Sequence, residues 1–237
     1  MMILPSEHLA KRAASDAVAD RPYAIFKRGL DIALSGFGLL CLLPLFAIVA
    51  VAIKLDSRGP IVYSQERVGL NRRRGRAGAP PRDGDRRRAD SFGRPFKIYK
   101  FRSMVVDAEK GTGPVWATKT DSRVTRLGKL LRKTRIDETP QLWNVLLGDM
   151  SIVGPRPERP TFVRSFAESL PGYSDRCAAL PGITGLAQVK SQYDSSIETV
   201  NRKLQYDLYY VRYGRLMLDL KIMAATVKVM ARGEGAH

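Results

Sequence analysis

Residues that define several common classes of protein are scarce in this sequence. The 237 residues include two cysteines, Cys41 and Cys177, which lie far apart along the chain. A disulfide framework is therefore not expected, and the bulk of the chain is predicted to occupy a reducing compartment. The two histidines and two separated cysteines provide no zinc-ligand spacing. Glycine-rich phosphate-binding loops of the Walker and Rossmann types are also missing.

Acidic residues are few relative to basic ones. The chain carries 40 Lys and Arg against 23 Asp and Glu, and 40 − 23 gives a formal net charge of +17. Such an excess suits anionic partners, namely nucleic acid, anionic lipid headgroups or phosphorylated substrates. Composition alone does not choose among these three classes of partner.

Long runs without charge are also rare, and the exception is the segment Ile32–Ile53. Its 22 residues are enough to cross a bilayer as a helix. Basic residues such as Lys27 and Lys54 flank both ends, and positive charge favours the cytoplasmic side. Pro44, near the middle, favours a kink. We predict a re-entrant helix hairpin over 23–56 with its bend at Pro44, and a plain transmembrane helix stays an open alternative.

The sequence on either side of this hairpin differs in character. Residues 1–22 form a polar N-terminal tail, and 57–237 form one domain. Within that domain, residues 71–94 contain nine Arg, three Asp and no aliphatic side chain larger than Ala. Such a segment cannot bury a core, so we predict a mobile, solvated loop that is able to touch anionic lipid.

Local patterns predict several elements of the domain. Apolar and basic residues alternate over Phe96–Met104, which predicts a strand with one wet face. Asp121-Ser122 is predicted to cap a helix that runs through about Arg135, and a second helix is predicted from near Thr139 to Gly148. The segment Leu216–Met230 is too charged to span a membrane, and it is expected either to pack on the domain or to lie at a membrane interface.

Asp137 and Glu138 are adjacent carboxylates just before a predicted helix start. Acids at that position stabilise the helix dipole and need no other role. The surrounding residues indicate a role beyond helix stabilisation, because Arg132 and Arg135 precede the pair and Arg156 follows between two prolines. Carboxylates ringed by arginine can hold a divalent metal together with a phosphate, which predicts a phosphate-handling site.

The segment from Arg132 to Pro157 (RKTRIDETPQLWNVLLGDMSIVGPRP) resembles the bacterial sugar transferase family, whose members are also called monotopic phosphoglycosyl transferases. Further segments match in the same order along the chain: KRGLDIAL at 27–34, FKIYKFRSM at 96–104, PGITGLAQV at 181–189 and LDLKI at 218–222. The resemblance covers about residues 23 to 231. This combination of motifs is far more specific than any one of them.

The resemblance implies a reaction and a setting. A sugar-1-phosphate would pass from a UDP-sugar to polyprenyl (undecaprenyl) phosphate with release of UMP, which initiates exopolysaccharide, capsule, O-antigen or related glycan assembly. The implied fold is a compact, helix-rich α/β monotopic membrane domain with a re-entrant hairpin and interfacial helices. It would sit on the bacterial inner (cytoplasmic) membrane with its catalytic domain, 57–237, facing the cytoplasm and anionic lipid. A homodimer is kept open, and no nucleic acid is expected.

The resemblance also implies roles for individual residues. By motif alignment Asp137 is the nucleophile, and Glu138 helps to bind Mg²⁺. Basic side chains are expected to contact the substrate phosphates: Arg132, Arg156, and, as further contributors, Lys100 and Arg102.

Two departures from the family pattern accompany the match. Leu43 stands before Pro44 where some members have Ser, so the predicted bend would be stabilised differently. The Arg-rich segment 71–94 is longer than the usual link.

Two rival functions stay open: a membrane-anchored, basic nucleic-acid-binding protein, and an inactive membrane scaffold. The first predicts aromatics interleaved with the arginines, yet 71–94 contains only Phe92. The second is disfavoured by the retention of the acid pair and its arginines.

Overall fold

The structure is a computed structural model, and it describes residues 21–71, 92–108, 110, 121–191 and 197–232. Most of the predicted tail and most of the Arg-rich loop, at 1–20 and 72–91, lie outside the described residues. Within the described residues the fold is rich in helices with a few short strands, as predicted.

The first element is a single long helix, α1 (Arg21–Asp56). Its 36 residues correspond to about 54 Å of helix. Pro44 lies inside α1 without ending it, since the fixed φ of proline is helical and only one backbone donor is lost. The described chain therefore contains one continuous helix here, and the two separate arms of the predicted hairpin are not seen.

One stripe of α1 packs on the rest of the protein, and the remainder is uncovered. Asp31, Ser35, Val49 and Ile53 are buried on the packed stripe, and their spacing follows the helical repeat. Large apolar side chains are exposed elsewhere along the helix: Ile25, Phe26, Ile32, Phe37, Leu40, Leu43, Ile48, Val51 and Leu55. By length and composition alone α1 could cross a membrane, and only 11% of its most apolar stretch is buried by protein.

Two small sheets follow. Strand β1 (Val62–Val68) pairs antiparallel with β2 (Pro95–Phe101), with Val62 opposite Phe101. The predicted strand over 96–104 is thus confirmed in its first six residues and ends at Phe101. A second sheet pairs β3 (Ser151–Val153) in parallel with β4 (Gly182–Thr184).

Helices and two 3-10 turns make up most of the remaining described chain. The α-helices are α2 (Arg126–Lys133), α3 (Gln141–Leu147), α4 (Pro160–Ser169), α5 (Leu186–Lys190), α6 (Ile197–Tyr213) and α7 (Leu216–Ala231). The 3-10 turns are Ile136–Glu138 and Tyr173–Ala178.

The ends of α2 and α3 test two predicted boundaries. The predicted N-cap of α2 at Asp121 is wrong, because Thr125 caps the helix by accepting from the backbone of Gly128 at 2.9 Å. Asp121 instead binds the guanidinium of Arg123 at 2.6 Å. The predicted end of α3 is confirmed, since Gly148 adopts the left-handed conformation at φ 88° that favours glycine.

Apolar packing fixes the elements that carry the acid pair. Phe96 and Ile98 of β2 pack against Val145 and Met150, which joins this strand to the α3 region. In a second cluster, α1 packs against β2 and α2 through Val49, Ile53, Phe101 and Leu131. The turn Ile136–Glu138 between α2 and α3 is therefore held on both sides by core contacts.

The C-terminal helix α7 resolves the choice left by its sequence. Asp219 and Ile222 are buried against the domain, so α7 packs on it as one alternative predicted. Its outer side still exposes large apolar residues: Met217, Leu220, Val227 and Met230.

A buried amide ties α3 to β2 beside the acid pair. Asn144 is fully buried, its Nδ2 donates to the Lys97 carbonyl at 2.8 Å, and its Oδ1 accepts from the Tyr99 amide at 3.1 Å. Asn144→Ala leaves both strand groups without this partner and should lower the free energy of unfolding by about 2 kcal/mol. Thermal or denaturant unfolding of the purified protein measures this, with the exposed Asn201→Ala as the matched control. Equal stability of both variants would contradict the prediction.

Candidate active site

The acid pair lies in the short turn between α2 and α3. Arg135, just before it, has a left-handed backbone at φ 61°, which is costly for a residue other than glycine. The turn is closed by backbone bonds from Glu138 to the Arg135 carbonyl and from Thr139 to the Ile136 carbonyl, each 3.2 Å long. This strained, hydrogen-bonded turn fixes the direction in which both carboxylates leave the backbone.

Glu138 is held by two cations from distant parts of the chain. Lys100 Nζ, at the end of β2, lies 2.6 Å from Glu138 Oε1. Arg156 donates from its Nη2 to the same oxygen at 2.8 Å. The site therefore joins β2, the 136–138 turn and the loop after β3, and it brings Glu138, Lys100 and Arg156 into direct contact.

Asp137 is buried next to this ion-paired group but is not bonded to it. Among the described residues no hydrogen bond or ion pair to its carboxylate is found, and the residue is 6% exposed. Burial raises the pKa of Asp137 to about 6, and the charge of Glu138 adds to the rise, while Lys100, Arg132 and Arg156 oppose it. Of the two carboxylates, Asp137 therefore has the higher pKa, and its oxygens are not occupied by a bonded partner among the described residues.

Glu138 has the opposite electrostatic character. Burial alone would raise its pKa, but the charges of Arg156 and Lys100 outweigh burial and hold the pKa well below its usual range. The same carboxylate raises the pKa of Arg156. Glu138 is therefore ionised across the physiological range and serves as a fixed negative charge between two cations.

The other two basic candidates occupy different places. Arg132, in the last turn of α2, donates from Nε to Ser103 Oγ at 3.0 Å, and its charge lowers the pKa of Asp137. Arg102 lies just past the end of β2 and is turned away from the acid pair. Its guanidinium donates to the carbonyls of Arg58 and Ser57 at 2.8 and 2.6 Å, after the end of α1. The structure brings Arg132 toward the site and does not bring Arg102 there.

Arg176 supports the site although the sequence patterns did not single it out. It is buried, and its Nη2 donates to the backbone carbonyl of Arg156 at 2.9 Å. Its Nε binds Asp207 at 2.9 Å, and its Nη1 binds Tyr173 at 3.0 Å. Arg176 thereby fixes the backbone of the Pro155–Pro157 loop, which aims the Arg156 side chain at Glu138.

A second buried polar cluster ties α1 and α7 to the strand that leads into this loop. Lys27 binds Asp219 at 2.9 Å and donates to the Val153 carbonyl at 3.0 Å. Tyr210 bridges the same two groups, at 2.7 Å to Asp219 and 3.0 Å to Val153. Lys27 and Asp219 belong to matched motifs, but only the fold reveals them as partners.

The side chains available as ligands limit how a divalent cation could bind here. Within the described ranges no group of three or more His, Cys, Asp or Glu side chains is placed to hold a metal. Magnesium commonly takes one or two carboxylates and completes its shell with water and substrate phosphates. Asp137 and Glu138 fit such an ion, bound jointly by protein and substrate.

Taken together, the site combines an available carboxylate, a fixed carboxylate and several cations. Lys100, Arg132 and Arg156 supply positive charge around the pair. A phosphate entering this site would meet guanidinium and ammonium donors as well as the Asp137 carboxylate. Such an arrangement is compatible with phosphoryl chemistry that uses a carboxylate nucleophile.

Comparison with known proteins matches this chain to bacterial enzymes. It is 39% identical over 231 residues to an Aeromonas hydrophila protein named UDP-N-acetylgalactosamine-undecaprenyl-phosphate N-acetylgalactosaminephosphotransferase, covering 98% of this chain and 49% of that protein. It is 38% identical to a Klebsiella pneumoniae UDP-glucose:undecaprenyl-phosphate glucose-1-phosphate transferase, over 86% of this chain and 39% of the relative. A Bacillus subtilis (strain 168) protein named "Putative undecaprenyl-phosphate N-acetylgalactosaminyl 1-phosphate transferase" is 47% identical, over 65% of this chain and 74% of its own length.

The first two of these relatives are much longer, and this chain spans about half or less of their length. The match to the family itself is nevertheless extensive. The bacterial sugar transferase family matches residues 22–77 and 84–233, which include α1, the acid pair and the Arg156 loop. On this match, and on the similarity to the named proteins, the chain belongs to the bacterial sugar transferase family.

Proposed function

We propose that the protein transfers a sugar-1-phosphate from a UDP-sugar to undecaprenyl phosphate and releases UMP. The observation that carries the proposal is the contrast within the acid pair. Glu138 is neutralised by Lys100 and Arg156, whereas Asp137 is buried beside it with a raised pKa and no bonded cation among the described residues. The names of the similar proteins, two of which include a UDP-sugar and all of which include undecaprenyl phosphate, agree with these substrates.

The proposed mechanism has two displacements at one phosphorus atom. Asp137 attacks the sugar-bearing phosphate, a phosphorus–oxygen bond forms, and the bond to UMP breaks. The resulting acyl phosphate carries the sugar on the enzyme. An oxygen of undecaprenyl phosphate then attacks the same phosphorus, and the Asp137 carboxylate is regenerated. Splitting the transfer suits two substrates of which one is soluble and the other is confined to a bilayer.

The surrounding residues have distinct tasks in these steps. With a pKa of about 6, Asp137 is mostly ionised at neutral pH and is able to attack. Arg156 and Arg132 stabilise the negative charge of the transferring phosphate, and Lys100 fixes Glu138. Glu138 would hold a magnesium ion together with the substrate diphosphate, and that ion would supply charge neutralisation that improves UMP as a leaving group.

A panel of UDP-sugars tests the proposal directly. The purified protein is incubated with each UDP-sugar, undecaprenyl phosphate and Mg²⁺, and both UMP and the lipid-linked sugar phosphate are measured. One or more sugars should give equal amounts of the two products. Absence of both products for every sugar tested, from a folded protein, would contradict the proposed function.

We further propose that α1 enters and leaves the inner membrane on the cytoplasmic side. Contacts with the domain at both ends of α1 support this topology. Lys27, near its start, binds Asp219 and the Val153 carbonyl, and the carbonyl of Ile53, near its end, accepts from Arg102 at 3.3 Å. A helix that crossed the bilayer would carry its ends to opposite sides, about 30 Å apart. A bend near Pro44 would let the middle of α1 enter the bilayer while both ends keep these contacts with one domain.

Other exposed apolar residues support contact between this domain and the bilayer. Trp143 and Leu147 are about half exposed on α3, which packs beside α1, and Val227 and Met230 are exposed on α7. Arg28 of α1 joins α1 to α3 by donating to the carbonyls of Val145 and Leu146. These surfaces suit the interfacial region of a membrane.

Single-cysteine labelling in intact cells should place both ends of α1 on the cytoplasmic side. Pro22→Cys and Gln65→Cys, each in a chain whose Cys41 and Cys177 are replaced by serine, should resist a membrane-impermeant maleimide until the cells are opened. The cysteine-free chain is the control for background. Labelling of one of the two positions from the periplasm would establish a full span and overturn the proposed topology.

A further inference from the structure

A cleft of about 60 Å³ lies beside Arg156, and the mechanism above leaves it without a role. Its lining combines aromatic, apolar and polar side chains, among them Phe166, Tyr173, Gln188, Lys203 and Leu204. Arg156 also lines it, while its Nη2 is bonded to Glu138. One side chain therefore borders both the acid pair and this cleft, so a single ligand could occupy both places.

The walls of the cleft are held firmly. Phe166 of α4 and Tyr173 lie with their ring centroids 5.2 Å apart. Arg176, also in the lining, binds Tyr173, Asp207 and the Arg156 backbone. These contacts preform a partly aromatic wall next to the phosphate-binding residue, and a flat ring is the ligand that such a wall favours.

Gln188 places in the cleft a hydrogen-bond acceptor that needs a donor. Its Nε2 donates to the Ile183 carbonyl at 3.0 Å, which fixes the orientation of the amide. Its Oε1 is buried and has no hydrogen-bond partner among the described residues. A buried acceptor without a donor is unfavourable, so a ligand that brings an N–H or O–H here would relieve that cost. A phosphate oxygen would not, since it is itself an acceptor.

We propose that this cleft binds the nucleobase of the donor, and that Gln188 Oε1 accepts a hydrogen bond from the N3–H of uracil. Uracil offers a flat ring for the aromatic wall and an imide N–H for the unpaired oxygen. Cytosine has a bare acceptor nitrogen at the same position, which would oppose Oε1. Gln188 thereby selects uridine over cytidine nucleotides, because leaving a buried polar group unpaired is what rejects the wrong ligand.

This inference rests on the proposed function, since the base belongs to the UDP-sugar donor, but binding measurements test it separately. The full chain in detergent or lipid nanodiscs, with Mg²⁺ present, is titrated with UMP, CMP and N3-methyl-UMP. The unaltered protein should bind UMP at least about tenfold more tightly than either analogue. The N3-methyl analogue needs no substitution in the protein, so its result does not depend on whether a variant folds.

Substitution at Gln188 then identifies the acceptor. Gln188→Met keeps the length of the side chain and removes the oxygen, so the preference for UMP over CMP should fall to about onefold. Gln205→Met is the matched control, because Gln205 is exposed on α6, and it should keep the full preference. Retention of the preference in a folded Gln188→Met protein, or equal binding of UMP and N3-methyl-UMP, would overturn the inference.

Two further results separate this subsite from its alternatives. If Gln188→Met changed the choice among UDP-sugars but left the preference for UMP over CMP intact, the cleft would hold the sugar, and the inference would be wrong. If the protein bound UMP through Gln188 but transferred no sugar phosphate from any UDP-sugar, the nucleobase subsite would stand and the proposed function would fail.

Discussion

Asp137→Asn should abolish both signs of the first half-reaction, the release of UMP and the gain of a sugar phosphate on the enzyme. Unaltered enzyme given a labelled UDP-sugar without undecaprenyl phosphate should release close to one UMP per active site. Mass spectrometry should find the adduct on the peptide that contains Asp137. An amide cannot form the acyl phosphate, so we expect turnover to fall by at least about 10³-fold.

Two control variants keep this result specific. Asp107→Asn removes the charge of an exposed carboxylate. The backbone of Asp107 is left-handed at φ 60°, a conformation that asparagine also adopts, so this variant should leave turnover unchanged. Glu138→Gln should slow both signals without moving the adduct, since it removes the fixed charge bound by Lys100 and Arg156. A folded, active enzyme that releases UMP only after undecaprenyl phosphate is added, and never carries the adduct, would establish direct transfer instead.

Arg156→Lys should reduce kcat strongly while the protein stays folded. The Arg156 guanidinium binds Glu138 through one nitrogen, and its other planar donors would be available to a phosphate. A lysine ammonium is a point charge that cannot make both contacts in the same geometry, and the Arg176 contact fixes the backbone so that it cannot adjust. Steady-state kinetics should show a loss of about 10²-fold in kcat, within the range for removing one transition-state donor.

The matched substitution is Arg164→Lys, which makes the same change at an exposed position of α4 and should leave kcat unaltered. Thermal unfolding of both variants separates a catalytic loss from a loss of structure. Near-normal kinetics for Arg156→Lys would assign this residue to holding Glu138 alone and would remove it from phosphate binding.

Local sequence signals determined several elements and the centre of the candidate site. Proline and glycine bounded α3 because their backbone preferences act within one turn of helix. The adjacent Asp137 and Glu138, with Arg156 between prolines, were recognisable because a short motif contains them. The long apolar run predicted α1 by composition, yet the hairpin prediction over 23–56 did not appear as two arms, since one proline is compatible with a continuous helix.

The partners of the buried polar groups were decided only by the tertiary structure. The family resemblance implied a phosphate-binding role for Arg102, but this residue lies just past the end of β2, and its guanidinium binds carbonyls beyond α1 instead. Asn144 and Asp219 lie in matched motifs and Arg176 does not, yet the sequence indicates a bonding partner for none of the three. Their partners lie tens to almost two hundred positions away. Spacing along the chain indicates only which side chains are neighbours within a few residues. A buried polar group needs a hydrogen-bond partner, and the tertiary structure determines which distant residue provides it.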